Sequence, residues 1–420
     1  MKKIFIVLLV LFITLNSAIA SFAEIDKNPM VEAKAAVLIN ALTGEILYDK
    51  NMNQKMYPAS TTKIMTALLV LENLDVSSTV TIDKETALTG GSQINLSEGE
   101  KITVEQLLYA LLLKSANDAA VALAKTVDGS VPAFADRMNE RAKELGAKNT
   151  NFVTPNGLHD NNHYTTAYDI AMITREAMKN KEFRHIVTSL EYNIPKTNKS
   201  DARVLKNPNK LLYSKAIISV NGVRKPIKYA GAIGIKNGYT SEAGRCLVAG
   251  AKRDNMELIS VVLNTSAAGK FADSIALLDY GFENYKGILT IKRGDSLGKI
   301  KVSMGAVNNV EIVAAKSSYL TMAKDKTDVK VNRKIVIDNK LEAPVYKGQK
   351  VGTVEIYKGN ILTDVIDVVT AEKVDKGGPL SIIGIPDNIS HVLGIALLVI
   401  IIILFITFTL KQIWRSIRNK

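Results

Sequence analysis

The chain has 420 residues, 47% hydrophobic and 23% charged, with a formal net charge of +13. That composition is globular rather than disordered and leaves room for two or three domains. It does not mark a nucleic-acid binder: Lys2 and Lys3 carry two of the charges, Lys411, Arg415, Arg418 and Lys420 carry four, and the remaining +7 is spread without an arginine-rich or aromatic-interleaved block. A single cysteine, Cys246, excludes an internal disulfide, and its place in Arg245-Cys246-Leu247-Val248-Ala249 reads as a buried strand position.

In chain order, residues 1–23 read as a secretory signal. Lys2 and Lys3 precede an apolar run, Ile4 to Leu15, with small residues at Ala18/Ala20 and Ser21/Ala23. The run is short for a membrane span. Val31 to Lys50 predicts a hairpin turning at Thr43-Gly44. Pro58 then precedes a helix that is apolar on every side, Ile64 to Leu71, which makes it a buried helix. Ser60 is expected at or near its N-cap. Lys63, three residues on, shares its face. Burial disfavours an ammonium and lowers its pKa, and a neutral amine can take the serine proton. Ser60 and Lys63 are therefore candidate nucleophile and base. A second Ser-x-x-Lys, Ser296 to Lys299, contains a glycine and no following apolar helix, and reads as a turn or strand edge.

Thr103-Val104-Glu105-Gln106 is a capping-box pattern that opens an apolar helix. It ends near Lys114-Ser115-Ala116-Asn117-Asp118, and a second helix is expected over Ala119 to Val127. Ser115 and Asn117 thus stand at a break between two buried helices, where a hydroxyl and an amide can point into a cleft. Ser219-Val220-Asn221 repeats the pattern in a polar, basic stretch that reads as a loop. Pro132 starts a helix stopped by Gly146, and Thr166 caps another over Ala167 to Met178. His159 and His163 have a metal-like separation, but they sit in a turn-rich loop without a second ligand pair, so no metal is assigned.

Gly234 to Thr240, Leu247 to Ala251 and Glu257 to Leu263 read as strands, with Lys236 and Gly238 on the first. A lysine beside a glycine on an edge strand lets a substrate backbone approach and offers a cation to a carboxylate. An amphipathic helix follows, Lys270 to Tyr280. Past Tyr285, short alternating segments such as Val310-Glu311-Ile312-Val313 and Val351 to Ile356 predict a small all-β domain over 286–375. A linker is expected at 376–390. Residues 391–411 form a membrane-spanning helix by length and lack of charge up to Leu410, and 412–420 a basic tail on its cytoplasmic side.

Ser60-x-x-Lys63, Ser115-x-Asn117 and Lys236-x-Gly238 stand in the order found in penicillin-binding proteins and class A β-lactamases. The surroundings of these motifs, with Thr154-Pro155-Asn156-Gly157-Leu158, resemble the serine-type D-alanyl-D-alanine carboxypeptidases over about Glu24 to Tyr285. The resemblance implies an α+β fold: a β-lactamase/transpeptidase-like domain at 24–285, an antiparallel sheet with helices, ahead of the β-rich domain and the terminal helix. It implies a nucleophilic Ser60, a basic Lys63 and a proton-relaying Ser115. Asn117, Lys236, Gly238, Tyr239 and Thr240 would bind substrate, and the N–H groups of Ser60 and Tyr239 would form an oxyanion hole. The implied partners are a peptidoglycan stem peptide, β-lactam antibiotics and the lipid bilayer, with no cofactor, metal or nucleic acid. The family usually has threonine or serine between the lysine and glycine of the third motif. Asn237 stands there and can still donate through its amide. The alternatives are a transpeptidase on the same fold, a class A-like β-lactamase, for which a Glu-x-x-Leu-Asn pattern is missing, or a penicillin-binding wall protein disabled by Asn237.

Overall fold

The computed structural model describes residues 28–326, 330–338 and 340–418. The expected signal at 1–23 and the last two residues of the basic tail lie outside them. The chain divides into two compact units between Asn284 and Tyr285.

The first unit is built on a five-stranded antiparallel sheet. Strands β1 (Ala35–Asn40) and β2 (Ile46–Lys50) form the expected hairpin. Strands β3 (Ala232–Thr240), β4 (Gly244–Arg253) and β5 (Met256–Thr265) form a meander, and β1 pairs with β5 to close the order β2-β1-β5-β4-β3. The strand β3 is thus an edge, and Lys236 pairs with Val248 and Gly238 with Cys246 across it. Alternation along the strands separates two faces. Val37, Ile39, Ile259, Val261 and Leu263 join the main helical core. Leu38 and Leu258 point the other way, to helix α5 (Gly269–Asn284). Gly281 lets that helix close on the sheet, since a Cβ there would sit 2.5 Å from Leu258 Cδ1 and 2.8 Å from Leu38 Cδ2.

On the opposite face lie helices α1 (Lys63–Asn73), α2 (Val104–Tyr109), α3 (Asn117–Asp128) and α4 (Ala167–Ala177). Every residue of α1 from Lys63 to Val70 is buried, as its all-apolar surface requires. Thr103 and Gln106 make the capping box that opens α2, and Thr166 caps α4 by accepting from Asp169 N–H.

Several local expectations change. Ser60 does not cap α1: it lies inside a 3₁₀ turn, Ala59–Thr62, and neither this turn nor α1 has a side-chain cap. Instead Thr61 and Thr62 donate their hydroxyls back to the carbonyls of Pro58 and Ala59. The helix α3 starts at Asn117, two residues before the expected start. The Ser219-x-Asn221 copy is not in a loop but in a hairpin (Ile217–Val220 with Val223–Pro226) whose turn residues Asn221 and Gly222 have φ of 50° and 80°. Ser296-x-x-Lys299, read as a turn or strand edge, does lie at the start of a strand, Ser296–Ser303, with Gly298 at φ 115° where the pairing shifts.

The second unit is a small β domain with its own core, including Val310, Ile312, Val354, Ile356, Ile366 and Val368. A six-stranded sheet carries it, beside a two-stranded ladder of Tyr285–Ile291 with Ser318–Ala323. The stretch expected as a linker is tied down. Gly377 N–H donates to Met304 O, Gly378 N–H to Asp387 Oδ1, and Asn308 Nδ2 to Gly384 O. A continuous helix α6 then runs from Asp387 to Arg418, so it begins before residue 391 and takes in most of the expected tail.

Candidate active site

Ser60 and Lys63 meet because a 3₁₀ turn feeds directly into α1. Lys63 Nζ lies 3.1 Å from Ser60 Oγ, 2.7 Å from Asn117 Oδ1 and 2.6 Å from the carbonyl of Asn156. The lysine is fully buried. Desolvation, then the nearby Lys236 cation, hold its pKa well below the ordinary lysine value, against a smaller opposing pull from Asp118. A neutral amine has two N–H groups and one lone pair. Asn117 and Asn156 offer only acceptors and take both N–H groups, which leaves the lone pair directed at the serine hydroxyl.

The surrounding scaffold uses residues that the motif did not announce. Asn156 sits on the Thr154–Leu158 loop, and Gly157 lets that loop reach the nucleophile turn: with φ +80°, a Cβ there would lie 1.9 Å from Ala59 O. Ala59 itself has φ 47°, an uncommon value for a residue with a Cβ. His163 is a structural group rather than a ligand. Its Nδ1 accepts from Val153 N–H at 3.0 Å, which puts the proton on Nε2 for the 2.9 Å bond to Thr62 Oγ1, and Thr62 donates to Ala59 O. Burial pushes the His163 pKa down to about 4.

The α2–α3 junction is sharper than a simple break. A π turn, Ala110–Lys114, follows α2, and Ser115 adopts a left-handed conformation at φ 60°. Asn117 Nδ2 donates to Gly90 O, and the Asn117 N–H to Ser92 O. Gly91 is needed beside it, because a Cβ would fall 2.6 Å from Asn117 Nδ2. The buried Asp118 accepts from Ile94 and Leu96 N–H and ties the same loop to α3. Ser115 Oγ makes no hydrogen bond to Ser60, Lys63 or Lys236 among the described residues, so the structure brings Asn117 to the lysine and leaves Ser115 at the turn.

On β3, Lys236 is 1% exposed, with Nζ 3.1 Å from Asn237 O. Burial, then the Lys270 cation, bring its pKa down to about 7. Lys270 is in turn lowered to about 8 by burial, Arg245 and Lys210. Among the described residues no carboxylate forms an ion pair with Lys236, Lys270, Arg245 or Lys210, and this group of cations suits an anionic ligand. Gly238 brings β3 against the nucleophile: a Cβ there would lie 3.1 Å from Pro58 O and 3.3 Å from Ser60 N. Asn237 Nδ2 donates one N–H to Pro208 O, and its buried Oδ1 has no hydrogen-bond partner among the described residues. The Thr240 hydroxyl accepts from Ala243 N–H in the β3–β4 turn. Tyr239 is 54% exposed beneath the Arg245 guanidinium, 3.7 Å from its ring centroid.

The family model described as D-alanyl-D-alanine carboxypeptidase matches residues 22–267, and one described as the C-terminal domain of penicillin-binding protein 5 matches 285–376. The D-alanyl-D-alanine carboxypeptidase DacF of Bacillus subtilis is 35% identical over 389 residues, 90% of this chain and 96% of the relative. The crystal structure of penicillin-binding protein 5 from Haemophilus influenzae superposes with a TM-score of 0.61 at 31% identity, covering 83% of this chain and 99% of that one. The structure of the Streptomyces K15 DD-transpeptidase covers 61% of this chain and 99% of its own at 35% identity, with a TM-score of 0.55.

Proposed function

The chain belongs to the D-alanyl-D-alanine carboxypeptidase family, and from that premise we propose the following division of labour among its residues. The enzyme is a serine-type D-Ala-D-Ala carboxypeptidase with a penicillin-binding-protein C-terminal domain, and its family implies a peptidoglycan peptide as substrate and β-lactams as ligands. Ser60 Oγ attacks the carbonyl between the two D-alanines while its proton passes to Lys63 Nζ. The C–N bond breaks, the leaving amine receives a proton through Ser115, and D-alanine departs. Water then hydrolyses the Ser60 ester, with Lys63 again taking the proton. Asn117 holds Lys63 and faces the substrate amide, Lys236 attracts the terminal carboxylate, and Gly238, Tyr239 and Thr240 present strand backbone to the peptide. The N–H groups of Ser60 and Tyr239 stabilise the oxyanion.

The observation that carries this reading is the buried Lys63 Nζ, 3.1 Å from Ser60 Oγ and held by Asn117 Oδ1 and the Asn156 carbonyl. The family match displaces the β-lactamase alternative. Asn237 donates to Pro208 O, and a covalent penicillin label at Ser60 without peptide turnover is the outcome that would favour a disabled site. The test is D-alanine release from an acyl-D-Ala–D-Ala peptide, with penicillin labelling mapped by mass spectrometry. Ser60→Ala should abolish both; a label on any other serine overturns the assignment. The 35% identity to a DD-transpeptidase keeps a second reading in view. An amine acceptor added to the assay yields a transpeptidation product if that reading holds.

The long apolar C-terminal helix suggests a membrane anchor, and the family acts outside the cytoplasm. A helix of 32 residues is about 48 Å long, more than the roughly 30 Å hydrocarbon layer requires. We read it as spanning the bilayer, with Lys411, Arg415 and Arg418 on the cytoplasmic side and the catalytic unit outside.

A further inference from the structure

Between the β domain and α6 lies a 3₁₀ turn, Pro379–Ile383, whose polarity is inverted. Its one polar side chain, Ser381, is 3% exposed and donates to Gly378 O. Ile382 and Ile383 are each 71% exposed and Leu380 is 40% exposed. A turn that faces water carries polar and small residues outward. This one turns its serine in and three large aliphatic side chains out. Val307, next to the Asn308 that holds Gly384, is exposed as well. The backbone of the turn is largely satisfied without water. Pro379 has no N–H, Ser381 N–H donates to Gly378 O, Gly384 N–H to Ser381 O, and Ile385 N–H to Leu380 O. Internal pairing of this kind is what a segment needs in order to enter lipid.

The height of the turn along α6 is fixed at both of its ends. Gly378 N–H donates to Asp387 Oδ1, Asn308 Nδ2 to Gly384 O, and Asp387 N–H to Ala306 O. The turn therefore leaves and rejoins the β domain level with the first residue of α6. What lies at that level rests on the reading above that α6 spans the bilayer. At 1.5 Å per residue the uncharged run Val392 to Leu410 is about 28 Å long, close to the roughly 30 Å hydrocarbon layer. Asp387 then stands about 7 Å outside that layer, among the headgroups. An aliphatic side chain at that depth meets lipid rather than bulk water.

We propose that the Pro379–Ile383 turn docks in the outer leaflet as a second lipid contact beside α6. Leu380, Ile382 and Ile383 enter the boundary between headgroups and acyl chains. A single helix leaves a domain free to rotate about the helix axis and to tip with it. A second contact, tied to the β domain through Asn308 and Ala306, holds that domain in one orientation on the bilayer. The turn is not an anchor by itself. Three aliphatic side chains bury less apolar surface than one acyl chain, whose own membrane binding is marginal. The turn orients a domain that α6 already holds, and a chain cut before His391 stays in solution.

The full chain reconstituted in phosphatidylethanolamine–phosphatidylglycerol vesicles tests this. Cys246 is buried, so a thiol-reactive fluorophore reports on an introduced cysteine. A label at Ile382→Cys should be quenched by lipids carrying a nitroxide near the headgroup about fivefold more strongly than a label at Asn360→Cys, the order expected for a side chain at the acyl boundary against one in water. Asn360 lies in the turn between the strands Lys350–Lys358 and Ile361–Thr370, at the opposite end of that hairpin from Thr370. Leu380→Ser together with Ile383→Ser should bring the quenching at 382 down to the value at 360. The same variant should resist extraction by alkaline carbonate and unfold at the parental temperature, since α6 and the β core are untouched. Equal quenching at 382 and 360 in a carbonate-resistant chain overturns the docking. Energy transfer between labelled copies in place of lipid quenching also overturns it, because a second copy then covers the turn. Extraction of the parent chain by carbonate overturns the spanning reading instead, and lipid quenching at 382 in that case still supports the contact.

Discussion

Lys236 places a cation in a fully buried position, and its pKa of about 7 sets the shape of the pH profile. Lys63 must be neutral to act as base, so activity rises with pH as it loses its proton, well below the ordinary lysine range. Lys236 must be charged to attract a carboxylate, so kcat/KM falls as pH climbs above about 7. An amidated, carboxylate-free substrate should be poorer at neutral pH and should lack that alkaline fall. Parallel profiles for the two substrates would remove the carboxylate role. Lys236→Ala should cost the carboxylate substrate about one to two decades in kcat/KM, since a hydrogen bond to a charged group is worth roughly 1.5–3 kcal/mol, and should hurt the analogue much less. Asn237→Thr should change either rate by less than about threefold, because threonine supplies a neutral donor where asparagine already offers one.

At the scale of elements, the nucleophile turn is held from outside α1. The Thr154–Leu158 loop reaches it only through Gly157, whose left-handed φ and missing Cβ are both required. Gly157→Ala should therefore displace the Asn156 carbonyl from Lys63. The backbone strain alone is of order 1–3 kcal/mol, so the melting temperature should drop and penicillin acylation should slow together. A variant that melts lower but acylates at the parental rate would show that the Asn156 contact is dispensable. His163 supports the same turn as a neutral imidazole. Its folded pKa of about 4 lies below the unfolded value of about 6.5. Between those values the unfolded chain binds the extra proton, so stability is complete above pH 6.5 and is lost as pH falls toward 4. From pH 7 to pH 5 the loss is roughly 2 kcal/mol. Urea titrations at the two pH values measure it, and His163→Asn should flatten the difference.

Across the whole molecule, the two units have separate cores, and the terminal helix belongs to the second. Cutting the chain before His391 removes the apolar run and keeps Asp387, whose carboxylate accepts from Gly378 N–H. The truncated protein should appear in the soluble fraction with kcat/KM within about twofold of the intact chain, since the site draws its residues from the first unit alone. Sedimentation with membranes in detergent-free buffer, or a large loss of activity in the supernatant, would contradict that division.

The sequence by itself determined the chemistry that repeats with chain spacing. A serine and a lysine three residues apart in a run that is apolar on all sides had to form a buried helical turn, and alternating segments after Tyr285 had to form a separate β unit. The edge-strand lysine beside a glycine was legible for the same reason. What only the tertiary structure decided depends on residues far apart in the chain. Asn156 approaches Lys63 from a loop 93 residues away and Asn117 from the start of α3, 54 residues away, and both accept from its Nζ. The need for a glycine at 157 is visible only once Ala59 O is seen against it. An isolated sequence likewise cannot show that the Asn237 amide donates to Pro208 O. Local pattern is set by the backbone's own periodicity, whereas the direction of a lone pair or an amide is set by whichever distant group folding brings against it.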